Sequence, residues 1–598
     1  MIYVLSINYD YVGQVNDDAW YVNASRYLAG VQKEKKQLQG RPLGYPLLLV
    51  PVAKLFPNSL IPLRLCSAMF ILGVPFLIFY FLKDIFDPDN LLAYIALFCL
   101  NPFIVRLSTS VLSEAPFIFF EVLFIVMLKK YLSYKKENLS LKHIIYLVFP
   151  LTFLFYLRSQ GAILFVGLFI YLFIKKRYRD LIYITFFYLI FITPILIKGA
   201  TAGTSLDKYM MEVGKTYSAS SVFELIKENF IYYLKNTVFI VVFALNKTSW
   251  NSFLFKNFII IPVSGLIALY TGYKMIIQKN KEYLLPVKIY LLFYFFVQII
   301  WVNVSLRYIV PVFPFVLLFF LKSLSKKKVL FYSLSGVLLV SSVNTDRIII
   351  RDSLKERKNS SRRPFKTFQW IRENTPKDAL IMCNFAPRTY LRTRRKTTGM
   401  KVLQRDEFYH MVLTKNIDYI AYFSTRHLQR SHQFSAQKTR YTQARYILKD
   451  KTRYEVVYEN PVEDTAILKP KKIKNFKQAW KLYRQGMERF RKDNLKDAEK
   501  KLEQSLKLYN DFPLASSNLA SIYIMKKKYS QALELLDSIV KIYPKSGVLW
   551  ALRGRVYYNL GNIEKAKENW EKALEIAEYL NKHQLKEDIL KDLSLTKK

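Results

Sequence analysis

The chain has 598 residues, 52% of them hydrophobic and 16% aromatic, which is too long for one globular core and too apolar for an ordinary soluble protein. Lys and Arg number 90 against 45 Asp and Glu, a net charge of +45. With no zinc-finger, helix-turn-helix or RNA-binding spacing, anionic lipid accounts for that excess more simply than nucleic acid does, and three cysteines (Cys66, Cys99, Cys383) argue against a disulfide framework or a Cys-rich metal site.

The first residues, "MIYVLSI", are too few to span a membrane and lack the charged n-region of a signal peptide, so the chain either begins outside or lacks a first helix. "NDDAWYVNASRYLAG" (residues 16–30) follows, with adjacent carboxylates Asp17 and Asp18. Asn16 or Asp17 suits an N-cap, and a helix starting there puts Trp20, Tyr21, Ala24 and Leu28 along its face.

Apolar runs then occur at Leu60–Leu82, Leu91–Val105, Ala115–Leu128, Ile144–Leu157, Gly161–Ile174, Leu181–Ile197, Phe258–Tyr270, Leu284–Val302, Tyr308–Leu321 and Val329–Val343, predicting ten crossings. Several are shorter than the ~20 residues of a perpendicular span, so polar ends extend them or protein buries them. Thr237–Leu245 reads as re-entrant or interfacial. Alternate connections are basic: Lys129, Lys130, Lys135, Lys136 and Lys142; Lys175, Lys176, Arg177 and Arg179; Lys274, Lys279 and Lys281; Lys322, Lys326, Lys327 and Lys328. The positive-inside bias places these in the cytoplasm. Asp17, Asp18, Ser113, Glu114, Arg158 and Arg307 then share the outer face.

The reading is a membrane region over residues 1–345, a basic linker over 346–364, a small extracytoplasmic α/β domain over 365–470, three helical repeats over 476–580, and a C-terminal helix and tail over 581–598. In the α/β domain "FKTFQWIREN" predicts a helix, and "ALIMCNF", "IDYIAYF", "RYEVVYE" and "TAILKP" predict strands. Ala498, Ala532 and Ala566 recur every 34 residues, as do Gly486, Ala520 and Gly554, and Leu495, Tyr529 and Ile563. Pro544 stands where a repeat ends, and a final helix is expected from about Tyr579. The period is similar to the tetratricopeptide repeat, whose stacked helix pairs form a groove for a peptide or protein.

Adjacent carboxylates suit a general base, since like charge and partial burial raise one pKa from ~3.9 toward neutrality; they would equally suit a divalent cation. Glu114 begins a hydrophobic helix, where capping by Ser110 or Ser113 competes with a role in an acceptor or metal site. Arg158 and Arg307, at outer turns, either snorkel or hold a phosphate by bidentate hydrogen bonds. Glu121, deeper in its run, is expected to face the bundle and pair with a basic group. No HExxH, GxSxG, phosphate-loop or dinucleotide motif is present.

Six stretches, "NDDAWYVNASRYLAG", "GRPLGYPLLLVPVAKLF", "LIPLRLCSAMF", "NPFIVRLSTSVLSEAPFIFFEVLF", "LRSQGAILFVGLFIYLF" and "RYIVPVFPFVLLF", together resemble the GT-C class of integral-membrane glycosyltransferases, in particular protein O-mannosyltransferases and bacterial aminoarabinose transferases of lipid A. "FQWIRENTPKDALIMCNF" also resembles the opening of the small domain after the helices in many bacterial members. The resemblance implies a GT-C-like polytopic α-helical membrane fold and a polyprenyl-phosphate sugar donor used from the extracytoplasmic side, in a bacterial plasma membrane. It implies an essential acid at Asp17 or Asp18, with Asp18 preferred, and an acidic position in the second outer loop at Glu114. Arg158 matches the Arg of an "LRPEG"-like turn, with Ser159 and Gln160 replacing Pro and Glu. Arg307 and Tyr308 match a late "RY" turn. The implied acceptor is a lipid, glycan or protein hydroxyl, and the repeats would recruit a protein. Two other classes remain at this stage, a transporter and a membrane-anchored repeat scaffold. The first expects more deep ionisable groups than Glu121 and a repeated membrane half; the second leaves the clustering of charges at one face to chance.

Overall fold

The computed structural model describes residues 1–7, 17–33, 42–134, 141–202, 223, 225–233, 261–277, 281–301, 306–355, 365–401, 403–423, 447–448, 450–579 and 583–595. Asn16 and Thr237–Leu245, on which two expectations fell, lie outside these.

The membrane region begins with α1 (Ile2–Leu5), α2 (Asp17–Leu28), α3 (Gly44–Leu55), α4 (Ile61–Leu82), α5 (Pro88–Cys99), α6 (Pro102–Ser108) and α7 (Glu114–Ser133). It continues with α8 (Leu141–Leu157), α9 (Gly161–Ile174), α10 (Tyr178–Ala202), α11 (Ile261–Ile277), α12 (Leu285–Ile300), α13 (Phe313–Leu324) and α14 (Lys328–Lys355). By length and apolar composition four helices among the described residues can cross a bilayer, or five if α5 and α6 form one span bent by 56°. Ten crossings were expected. The difference lies in helices such as α8 and α9, of 17 and 14 residues, which fall short of the ~20 a lone span needs. The bend between α5 and α6 sits at Asn101-Pro102, where Pro102 offers no N–H and the Asn101 side chain accepts from Phe103 N at 3.0 Å. Sequence periodicity missed α3, whose apolar run is broken by Pro46, Pro51 and Lys54.

Beyond Arg64 and Ser67 in its first two turns, helix α4 is apolar on every side: Ile71, Val74 and Ile78 face the bundle, whereas Met69, Leu72, Phe76 and Phe79 are exposed. Exposed in water, such a stripe would be an aggregation surface; facing lipid, it costs nothing. Helix α7 packs between α4 and α8, and α9 packs on α12. The 20 residues of α7 span ~30 Å. Glu114 stands at one end, and at the other Lys129 pairs with Asp84 at 2.6 Å. The basic connections and the candidate site thus occupy opposite ends of the same helices.

The α/β unit contains α15 (Phe365–Asn374), β1 (Leu380–Cys383), α16 (Ala386–Thr393), β2 (Lys396–Gly399), α17 (Arg405–Thr414), β3 (Tyr419–Phe423), β4 (Tyr454–Asn460) and β5 (Thr465–Pro470). Its sheet runs β2-β1-β3-β5-β4, parallel on the β2-β1-β3 side and antiparallel from β3 onward. The short edge strand β2, "KTTG", has too few β-branched or apolar residues to be read from sequence. Helix α16 lies on α2, and its Leu391 joins the apolar core of the membrane bundle.

The repeats pair α18 (Phe476–Arg491) with α19 (Leu495–Leu508), α20 (Pro513–Met525) with α21 (Tyr529–Ile542), and α22 (Gly547–Asn559) with α23 (Ile563–Tyr579). The final helix, α24, starts at His583, because α23 itself runs through Tyr579. The small residues sit where paired helices touch: Ala498, Ala520, Ala532 and Ala566 are buried, and a Cβ on Gly554 would come within 2.5 Å of the Trp570 indole. One apolar core runs without a break from Phe408, Tyr409 and Val412 of α17 through Phe476 and Phe512 to Leu536 and Val556. Arg453 and Asp406, both buried in the α/β unit, pair at 2.5 Å beside that junction, and Asp406 reaches across it to accept from Leu514 N at 3.1 Å.

Candidate active site

Four segments far apart in sequence deliver charge to one place at the end of the bundle. Helix α2 opens with Asp17 and Asp18, favoured at the positive end of its dipole. Helix α7 opens with Glu114, which is fully buried. The α8–α9 turn supplies Arg158, and a single 3-10 turn, Leu306–Tyr308, supplies Arg307 and Tyr308 before α13.

Arg307 ties the group together. Its Nη1 donates to Asp17 Oδ2 at 2.9 Å, and its Nε donates to Glu114 Oε1. Arg158 reaches the same Glu114 oxygen, Nη1 to Oε1 2.5 Å, and stands 5.8 Å from the centre of the Tyr308 ring. Burial lowers both guanidinium pKa values, but Glu114 beside each outweighs it, with Asp17 adding to the effect on Arg307. Both therefore stay above the ordinary arginine value and remain charged at any working pH.

Several partners could not be read from sequence. Ser113 is the N-cap of α7, yet its side chain makes no capping bond. Its hydroxyl accepts from Tyr21 at 2.8 Å and from Arg158 at 3.4 Å, so the expected cap is a link between α2, α7 and the α8–α9 turn. Gln160, which stands where the resemblance expects Glu, accepts from Arg158 Nε at 3.0 Å. An amide here orients the guanidinium without neutralising it.

Asp18 is nearly as buried as Glu114, and its Oδ1 accepts from Ala19 N at 2.8 Å. Asp17 is the carboxylate that meets Arg307. Glu121 does face the bundle, but its partner is the Tyr290 hydroxyl, which donates at 2.5 Å, and not the basic group expected. A phenol satisfies a buried carboxyl oxygen without a second charge in the membrane interior, which is the cheaper solution there. Both guanidiniums meet Glu114 at Oε1, and their positive charge opposes a cation placed beside that oxygen. Among the described residues no group of three or more His, Cys, Asp or Glu side chains gathers to hold a metal ion.

The arrangement can hold an oxyanion and move a proton at one spot. Asp17 and Arg307 are each about one-fifth exposed, so the charged face is open to a ligand.

Models of the tetratricopeptide repeat match residues 489–556 and 548–579. No functionally curated protein matches the chain. Among solved structures, ArnT from Cupriavidus metallidurans bound to undecaprenyl phosphate aligns with 78% of this chain and 95% of its own, at 10% identity and a TM-score of 0.50. Its apo form aligns with 75% and 92%, at 11% identity and 0.48. The Sgt2 repeat domain of Aspergillus fumigatus aligns with 20% of this chain and 77% of its own, at 22% identity and 0.19. The chain therefore has an ArnT-like GT-C fold over most of its length, a small sheet, and C-terminal tetratricopeptide helices.

Proposed function

We propose that the chain is a membrane glycosyltransferase that moves a sugar from a polyprenyl-phosphate donor to a hydroxyl of a lipid, glycan or protein acceptor, on the extracytoplasmic side of a bacterial plasma membrane. The observation that carries this reading is the convergence of Asp17, Glu114, Arg158 and Arg307 at the end of the bundle opposite the basic connections. The undecaprenyl phosphate held by the ArnT structure, whose fold this chain has, supports a lipid phosphate as the donor's anchor.

In this reading the acceptor oxygen attacks the anomeric carbon as the bond from that carbon to the lipid-phosphate oxygen breaks, with inversion. Asp17 or Asp18 takes the acceptor's proton. Arg158 and Arg307 stabilise the departing phosphate as its negative charge localises. Glu114 holds the two guanidiniums close, which their mutual repulsion would otherwise oppose. The breaks at Asn101-Pro102 and around Pro311 and Pro314 open a lateral path for the lipid tail. The repeats, extracytoplasmic with the α/β domain, recruit or present a protein partner.

The test is transfer of labelled sugar from polyprenyl-phosphate hexoses or pentoses to membrane lipid and protein acceptors. The wild type should label an acceptor and a folded Asp17→Asn/Asp18→Asn variant should not. Equal labelling by both would remove the acids from the chemistry. Labelling by neither, with partner capture by the repeats intact, would favour the scaffold.

A further inference from the structure

The far end of α2 carries a second concentration of positive charge that the transfer reaction does not use. Arg26 is only 2% exposed. Its Nη2 donates to the Ser59 carbonyl at a long 3.4 Å, its Nε has no hydrogen-bond partner, and no carboxylate among the described residues pairs with it. Asn23, one turn earlier on the same face, donates to the Pro387 carbonyl at 2.8 Å, so this is the face of α2 that α16 covers. The charged neighbours that Arg26 feels are Arg392, in the last turn of α16, and Arg394, its C-cap. Burial first, and then Arg394 and Arg392, lower the Arg26 guanidinium to about 10.

A buried cation that no carboxylate pairs with is among the costlier arrangements in a folded chain unless another anion completes it. Arg394 is exposed, so the group opens to solvent on the side of the small domain. Guanidinium forks carried by α2 and by the end of α16, the helix packed on it, match the oxygens of a phosphoryl group, each fork able to bind two of them. From Asp17 to Arg26 is nine residues of helix, ~13 Å along its axis, which separates this place from the Arg158 and Arg307 pair.

We propose that Arg26, Arg392 and Arg394 form a binding site for a phosphoryl group, carried by a lipid headgroup or free in solution, which bridges α2 and the small domain. Its occupancy neutralises the junction and fixes α16 on the helix that carries Asp17 and Asp18.

The experiment is hydrogen exchange on the full chain in neutral detergent, at constant ionic strength set with chloride. Inorganic phosphate is titrated in one arm and short-chain phosphatidic acid in the other. Either or both should slow exchange in α16 and the second half of α2. Arg394→Gly, whose glycine accepts the left-handed φ of 58° at that position, should weaken the effect at least about tenfold, and Arg26→Gln likewise. A response to phosphate alone assigns a soluble ligand; a response to phosphatidic acid alone assigns a headgroup. Arg307→Gln serves as the control for the proposed donor site, and protection of α16 should persist in it. No protection in either arm, protection that Arg394→Gly leaves intact, or protection lost in Arg307→Gln would each overturn the proposal, without bearing on whether sugar is transferred.

Discussion

Arg307 and Asp17, 290 residues apart in sequence, meet at 2.9 Å, and this contact joins the start of α2 to the turn before α13. Arg307→Gln should lower transfer by about 10²–10³-fold, the usual loss when one donor to a developing oxyanion is removed. Arg307→Lys keeps the charge but loses the fork, and should fall between the two. Initial rates against donor concentration check this, with kcat falling more than KM rises.

Asp17→Asn and Asp18→Asn, made singly, should separate the two acids. Loss of a general base costs about 10²–10⁴-fold. Because Asp17 is the one that meets Arg307, its variant should carry the larger loss. A larger loss in Asp18→Asn would move the base to the second carboxylate.

The charged turn depends on close backbone contact behind it. A Cβ on Gly44 would lie 2.5 Å from the Tyr156 carbonyl oxygen, two residues before Arg158. Gly44→Ala must therefore push α3 away from the end of α8. It should cost about 1–3 kcal/mol, as overpacking does, and reduce transfer although residue 44 bears no charge. Thermal unfolding in detergent and the transfer assay measure the two effects.

At the junction with the repeats, burial raises the Asp450 carboxyl, but Arg405, 2.7 Å away, outweighs it and holds the pKa below the ordinary value. A depressed carboxylate contributes stability that is present above its unfolded pKa of ~3.9 and is lost as pH falls through the folded value. The protection of α17 amides against hydrogen exchange, taken relative to their intrinsic rates, should therefore fall below about pH 4. Asp450→Asn should remove that acid dependence and raise exchange at neutral pH.

Removing one member of the buried Arg453 and Asp406 pair should cost about 3–5 kcal/mol, because the other is left charged and unpaired. Arg453→Met with Asp406→Leu should recover much of this. The midpoint of repeat unfolding, followed by near-ultraviolet circular dichroism, ranks the three variants.

The features legible in the sequence were those with a period or a motif. The 34-residue recurrence gave the repeats, since Ala498 and Ala532 must be small where helices cross, and apolar runs gave the bundle. The charged turns at Glu114, Arg158 and Arg307 were found by position, but their pairing was not. Which carboxylate meets which guanidinium depends on how α2, α7 and the two turns come together, and no local pattern encodes it. Ser113 shows the same limit: a serine before a helix looks like a cap, and only its nearness to Tyr21 makes it a bridge. The short β2 strand and the Pro-broken α3 escaped because their fold comes from neighbours rather than from their own composition.

The unbroken apolar core from α17 into the repeats means that the groove has no hinge at its root. A swinging array would accept partners over a wide range of reach, whereas a fixed one works as a ruler. A protein gripped in the groove could offer a hydroxyl to the membrane end only if the chain between grip and hydroxyl, at ~3.3–3.6 Å per residue when extended, is long enough to cover the distance. Short tethers would be refused whatever their sequence. Slack ones would lose out as their end wanders, so selection among acceptors would be made by length before any side chain is read.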